Sequence, residues 1–88
     1  MLSKKVIISN KSGLHARPAS LLIDAANKFE AKIEIIHGNR EANLKSIISV
    51  MSLAIGCGEE VTLRVEGTDA KEALNKIVEI IENKFGEE

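Results

Sequence analysis

Residues 32–44 of the chain read KIEIIHGNREANL, and they give the clearest indication of the kind of sheet that the chain forms. Its first part, residues 32–37, begins by alternating charged and aliphatic side chains, which is the pattern of a half-buried β-strand. Gly38 and Asn39 follow as a hairpin turn, and residues 40–44 form a second, weaker strand. A hairpin in the middle of so short a chain favours a largely antiparallel sheet.

Before the hairpin, the sequence predicts one strand and one helix. Residues 2–9 hold the β-rich run Val-Ile-Ile, which stops at a turn cluster in residues 10–13. Pro18 has no N–H group to donate, so it suits the first turn of a helix. A helix over residues 16–28 is indicated by apolar side chains at spacings of three and four: Ala19, Leu22, Ile23, Ala26 and Phe29.

After the hairpin, the pattern predicts a short helix, a strand and a long helix. Ser46 can cap a helix over residues 47–53, and alternation over residues 61–65 indicates a strand. Asp69 and Glu72 have the spacing of a capping box. The long helix is expected to run to Gly86, with an apolar stripe made of Ala70, Leu74, Ile77, Ile81 and Phe85.

The predicted order is therefore β-α-β-β-α-β-α in a single domain over residues 1–88. We predict an α+β open-faced β-sandwich, in which three helices cover one face of a four-stranded, largely antiparallel sheet. A core of this size leaves no deep cleft, so no cofactor is expected.

The composition excludes several functional classes. A net charge of −1, two phenylalanines and no other aromatic residue leave neither a basic stripe nor a stacking surface for nucleic acid. The single cysteine, Cys57, cannot form an internal disulfide or a cysteine metal cluster, and we expect it to be a small buried hydrophobe without a role. Since a cysteine cluster is excluded, no bound metal is expected. No apolar run is long enough for a signal peptide or a membrane span, so we expect a cytoplasmic protein.

The segment best suited to chemistry is SGLHARP, residues 12–18. His15 stands where a loop enters the first helix, whose free N–H groups and dipole make a ready anion site. Arg17 adds a planar guanidinium that matches phosphate oxygens, and Gly13 lets the loop turn tightly before the imidazole. A neutral imidazole beside such a site has what reversible phosphoryl transfer requires.

The residues alone leave two interpretations open. His15 can also be a plain neighbour of a helix cap, and Arg17 a solvated surface charge. From the residues alone this structural interpretation is the favoured one, because histidines near helix starts are common. His37 is a second candidate nucleophile, but it lies at the hairpin without a cradle for phosphate, and we expect it to be solvated.

Two segments carry a family resemblance that changes this balance. Residues 13–20, GLHARPAS, resemble the active-site signature of HPr, the histidine-containing phosphocarrier family of the bacterial sugar phosphotransferase system. Residues 43–53, NLKSIISVMSL, resemble the second signature of that family, around its regulatory serine. The likeness extends over the length of the chain, its element order and the separation of the two motifs. Ser49 departs from it, standing where the signature often has glycine.

The resemblance implies a carrier and not an enzyme. In that family the histidine, here His15, accepts a phosphoryl group from phospho-enzyme I, which phosphoenolpyruvate charges, and passes it to enzyme II A components. It implies that Arg17 supports the phosphoryl group, with Ser12 and the amide of Ala16 or Arg17 as further contacts. It also implies that the HPr kinase/phosphorylase phosphorylates Ser46.

The short helix after Ser46 is apolar on nearly every side, although a short helix on a small sheet buries only one face. We expect Val50, Leu53 and Ala54 to be buried and a docking patch to remain exposed, made of Ile47, Ile48 and Met51. The alternative is that all three of these belong to the core. The resemblance implies that the patch docks enzyme I, the enzyme II A domains and, after phosphorylation of Ser46, a transcriptional regulator.

A different class of function is a purely regulatory binding module, a catabolite-repression co-effector that signals through phosphorylated Ser46 while His15 is idle. A related branch of the family lacks the histidine and works only in gene regulation, so the presence of His15 argues against that branch. In either case we expect a monomer.

Overall fold

A computed structural model describes residues 1–87, which form four strands and three α-helices. The elements are β1 (Leu2–Ile7), α1 (Ala16–Ala26), β2 (Lys32–His37), β3 (Arg40–Asn43), α2 (Ile47–Met51), β4 (Glu60–Glu66) and α3 (Ala70–Glu82), followed by a 3-10 turn (Lys84–Gly86). This order confirms the predicted β-α-β-β-α-β-α arrangement.

The four strands form one antiparallel sheet in the order β1-β4-β2-β3. The hairpin lies at one edge, and its register pairs His37 with Arg40 across the turn. Along β4 the side chains alternate, so that Val61, Leu63 and Val65 are buried while the residues between them are not. One face of the sheet therefore carries the core and the other is open, which confirms the α+β open-faced sandwich.

The core lies between this face and the three helices. Helix α1 buries the side of its surface that contains Ala19, Leu22 and Ala26, as its spacing predicted. Ile23 and Phe29 are half-buried at the margin of the core. The start of α1 is thereby fixed against the sheet, while the loop before it reaches the surface.

The end of α3 differs from the prediction. The helix ends at Glu82, and Lys84, Phe85 and Gly86 all have positive φ angles, of 55°, 58° and 79°. Left-handed backbone is unfavourable for residues with a Cβ. Here the turn reverses the chain and buries the Phe85 ring, and that burial offsets the strain. The apolar residue at the fifth position of the stripe thus packs from a turn and not from a helix.

The capping box predicted at the start of α3 is also wrong. The Asp69 side chain makes no hydrogen bond to its own helix. Its carboxylate instead accepts hydrogen bonds from the N–H groups of Glu30, at 2.9 Å, and Ala31, at 2.8 Å. These bonds lower the pKa of Asp69 and join α3 to the loop that enters β2.

Candidate functional site

His15 is the residue that precedes α1, in extended conformation and without a side-chain capping bond. Its side chain is 49% exposed, so the imidazole is open to an incoming group. The carbonyl of His15 accepts from the N–H group of Ala19 at 2.9 Å, and Pro18 has no N–H group. The amides of Ala16 and Arg17 lie in the first turn, where the helix offers them no acceptor, and they remain available to an anion.

An open groove of about 510 Å³ runs beside the imidazole. It brings His15 together with Arg17 and Ser12, as the sequence predicted, and adds Lys11. The other wall comes from the far end of the chain, where the turn after α3 contributes Phe85, Gly86 and Glu87. Two cationic side chains in one groove favour an anionic ligand.

The hydroxyl of Ser12 is engaged within the protein. It donates to the carboxylate of Glu87, at 3.0 Å from Oε1 and 2.9 Å from Oε2. Oε2 of Glu87 also lies 4.0 Å from Nε2 of His15. The predicted phosphate contact therefore already faces an oxyanion.

Asn10 organises this loop and was missed by the sequence reasoning. It is fully buried, and its Nδ2 donates to the carbonyl of Gly13 at 2.8 Å and to Oγ of Ser12 at 3.2 Å. The N–H group of Gly13 returns a bond to the carbonyl of Asn10 at 3.1 Å, which closes a tight turn. Asparagine at the start of a turn cluster is the signal that indicates such a role.

The loop that carries His15 rests on the loop that follows α2. The N–H group of Leu14 donates to the carbonyl of Ile55 at 2.9 Å. Gly13 has a φ of 69°, and a Cβ at this position would lie 2.9 Å from Cα of Gly56 and from the carbonyl oxygen of Ile55. Only glycine fits both the backbone angle and the close approach.

Ser46 caps α2, as predicted. Its Oγ accepts from the N–H group of Ser49 at 3.4 Å and donates to Oγ of Ser49 at 3.1 Å. The second bond depends on the serine that stands where the signature often has glycine. The sequence departure thus gives the Ser46 hydroxyl a partner that glycine cannot supply.

The side chains of α2 divide into a buried and an exposed set. Ile47, Ile48 and Met51 are 38%, 80% and 37% exposed, so the alternative that all three lie in the core is wrong. Val50 and Leu53 are buried as expected. Ala54 is not, because the chain turns at this residue with a φ of 53° and directs its methyl group outward.

Two further expectations are wrong. His37 is half-buried and pairs through Nε2 with Oε1 of Glu59, so it is not simply solvated. The other oxygen of Glu59 accepts from the N–H group of Gly56 at 2.8 Å, which ties the hairpin to the loop under Gly13. Cys57, expected to be buried, is exposed because it lies in this surface loop.

Within residues 1–87 no group of three or more histidine, cysteine or acidic side chains is placed to hold a metal ion. No helix in the same range is both long and apolar enough to cross a membrane.

An open-faced sandwich that presents a half-exposed histidine at a helix start, beside an arginine and the amides of the first helical turn, has the form of a histidine phosphocarrier. The family model for the phosphorylation site of the HPr component of the phosphotransferase system matches residues 2–83. Phosphocarrier protein HPr of Treponema pallidum is 46% identical over 88 residues, which is 100% of each chain. This chain belongs to the HPr family of phosphocarrier proteins.

Solved structures agree with this assignment. HPr of Thermoanaerobacter tengcongensis is 45% identical and superimposes with a TM-score of 0.97, covering 100% of this chain and 99% of that one. Crh of Bacillus subtilis, a catabolite-repression protein solved as a domain-swapped dimer, is 39% identical with a TM-score of 0.77, covering 96% and 97%. The family thus includes both phosphocarriers and a regulatory variant.

Proposed function

We propose that this chain accepts a phosphoryl group on His15 from phospho-enzyme I and passes it to enzyme II A components. The observation that carries the proposal is the half-exposed imidazole at the start of α1, in one groove with Arg17 and Lys11. A carrier must present the same atom to two partners in turn, and an open groove allows this. The groove does not enclose a substrate, which favours a carrier over an enzyme.

In the transfer step, a ring nitrogen of His15 attacks the phosphorus held by the donor. The new nitrogen–phosphorus bond forms as the bond between phosphorus and the donor breaks, and the donor keeps that electron pair. The guanidinium of Arg17 and the amides of Ala16 and Arg17 face the charge on the moving oxygens. Passing the group onward repeats the step in reverse with the second partner.

We also propose that Ser46 is a regulatory phosphorylation site for the HPr kinase/phosphorylase. Its hydroxyl lies at the start of α2, so a phosphate there would meet the helix dipole favourably and leave the fold intact. Ile48, the most exposed aliphatic side chain of α2, lies only two residues further on. We therefore place the docking surface for enzyme I and the enzyme II A components at Ile47, Ile48 and Met51.

The second candidate function is a regulatory module, in which phosphorylated Ser46 recruits a transcriptional regulator and His15 is idle. The likeness to Crh supports it. The accessible His15 and its groove favour the carrier, because a purely regulatory module requires neither an exposed nucleophile nor an anion-binding groove. That this chain acts as a monomer stays a prediction.

The deciding experiment is phosphorylation with labelled phosphoenolpyruvate and enzyme I. A carrier should become labelled, and the label should be acid-labile and base-stable, as it is in phosphohistidine. His15→Ala should take up none, while the matched variant His37→Ala should be labelled like the parent. Label retained by His15→Ala, or lost only in His37→Ala, would show that His15 is not the acceptor.

The regulatory function is tested with the kinase and ATP. Label that is stable to acid and absent from Ser46→Ala would support Ser46 as the site. A chain that is labelled at Ser46 but never at His15 would favour the regulatory module.

A further inference from the structure

The turn after α3 brings an acidic side chain to the His15 groove. Lys84, Phe85 and Gly86 have left-handed backbone, and Phe85 is buried. Two consecutive residues with a Cβ in this conformation are costly, so the buried ring has to hold the turn in place. The turn thereby places the Glu87 side chain beside Ser12, while the carboxylate itself can still rotate away.

The carboxylate of Glu87 accepts hydrogen bonds from the loop that precedes His15. Both of its oxygens accept from Oγ of Ser12, and Oε2 also faces Nδ2 of Asn10 at 3.3 Å. Nδ2 of the buried Asn10 lies 3.2 Å from Oγ of Ser12, so the donors form a connected set. Of these donors, Ser12 lines the groove and is the predicted contact of a phosphoryl group on His15.

The hydrogen bond between Glu87 and Ser12 does not involve the cationic side chains of the groove. Within residues 1–87, neither Lys11 nor Arg17 has an ion-pair partner, although both line the groove together with Glu87. A phosphoryl group on His15 would bring about two negative charges into this space. The Glu87 carboxylate, 4.0 Å from Nε2, would repel them and compete for the Ser12 hydroxyl.

We propose that Glu87 is a built-in competitor for the phosphoryl site: its carboxylate occupies the Ser12 end of the groove in the unphosphorylated protein and has to leave when an anion binds. The biological role of this competition rests on the proposed function, in which His15 accepts the phosphoryl group. The competition between Glu87 and a bound anion does not depend on it. An anion in the groove meets the same carboxylate whether or not His15 reacts.

The first test measures the binding of inorganic phosphate to the full chain by the amide NMR shifts of Ala16 and Arg17. Glu87→Gln should bind phosphate about two- to fivefold more tightly than the parent, the range expected for a partly exposed charge. Glu72→Gln is the matched control, because it removes the same charge at the far end of α3, about 15 Å along the helix from Glu82. Equal affinities for both variants would overturn the proposal.

A second variant separates contact from general charge. In a Ser12→Ala background the carboxylate loses the hydroxyl that holds it, so Glu87→Gln should then change the affinity for phosphate less than it does in the parent. An undiminished effect would show that Glu87 acts only through net charge, and would also overturn the proposal.

Transfer from phospho-enzyme I distinguishes this proposal from the proposed function. The phosphorylated fraction at equilibrium should rise in Glu87→Gln and stay at the parent value in Glu72→Gln. If neither the parent nor any variant is labelled, the proposed carrier function is wrong. The phosphate titration then still tests whether Glu87 competes with an anion. If all are labelled equally and bind phosphate equally, the carrier function stands and the competitor is refuted.

Discussion

Replacing Gly13 by alanine tests whether the loop that carries His15 is held by its contact with the loop after α2. The new Cβ would lie 2.9 Å from Cα of Gly56 and from the carbonyl oxygen of Ile55, and 3.1 Å from the nitrogen of Cys57. All three neighbours are backbone atoms, so no side chain can rotate away. One of the two loops has to move.

The magnitude follows from two separate costs. A left-handed φ of 69° costs an alanine about 1–2 kcal/mol, of which the stiffer unfolded chain returns about 0.4–1 kcal/mol. The steric overlap adds about 1–3 kcal/mol, as other insertions into packed regions do. Gly38 has a φ of 64° and nothing within 4 Å of its would-be Cβ, so Gly38→Ala carries only the backbone cost.

Thermal melting of the two variants isolates the contact. Gly13→Ala should be less stable than Gly38→Ala by about 2 kcal/mol, which is about 8–16 °C in melting temperature for a domain of this size. Below its melting temperature, Gly13→Ala should also accept phosphate more slowly, because Leu14 and His15 follow the displaced residue. Equal melting temperatures for the two variants would refute the reasoning.

Three further changes test the site and the fold. Arg17→Ala should raise the barrier to transfer by about 2–4 kcal/mol with little loss of docking, and unchanged rapid-quench rates would make Arg17 a plain surface charge. Ser46→Asp should keep the melting temperature, since aspartate also caps helices, but weaken the apparent affinity for enzyme I relative to Ser46→Ala; identical titrations would remove the switch. Hydrogen bonds, above all from the amide of Glu30, lower the pKa of Asp69 in the folded protein. The ionised carboxylate therefore contributes fully to the free energy of unfolding above the pKa of the unfolded chain, about 3.9, and this contribution is lost as the pH falls through the lower pKa of the folded state. Asp69→Asn should therefore flatten the fall in melting temperature as the pH is lowered below the unfolded value, and parallel curves would contradict this assignment.

The sequence was sufficient for the fold because its signals are local. The hairpin of residues 32–44 contains both strands and the turn between them, and the alternation of β4 shows directly which side chains face the core. The spacing in α1 identified its buried side for the same reason. Ser46 was recognised as a cap because a cap and its helix are neighbours in sequence.

The sequence missed the contacts between distant segments. Asp69 has the spacing of a capping box, but its carboxylate binds amides about 40 residues away, which local propensity cannot reveal. His37 pairs with Glu59, and Ser12 donates a hydrogen bond to Glu87, because the packing of loops brings these distant residues together. His15 and Arg17 were singled out because both lie in one short motif that resembles a family signature, and their role stays a prediction. The carboxylate that lines the same groove lies far from this motif in the sequence.

The position of the loop over residues 55–58 suggests how the two signature segments are related. It follows α2, which Ser46 caps, and it supports Gly13 and Leu14, which precede His15. These contacts join closely packed backbone groups. We therefore do not expect the imidazole to move in response to a phosphate on Ser46. Its nearest exposed neighbours are instead the aliphatic side chains of α2. A charge on Ser46 should therefore act on the affinity of partners that cover α2, and the chemistry at His15 should be unchanged once a partner is bound.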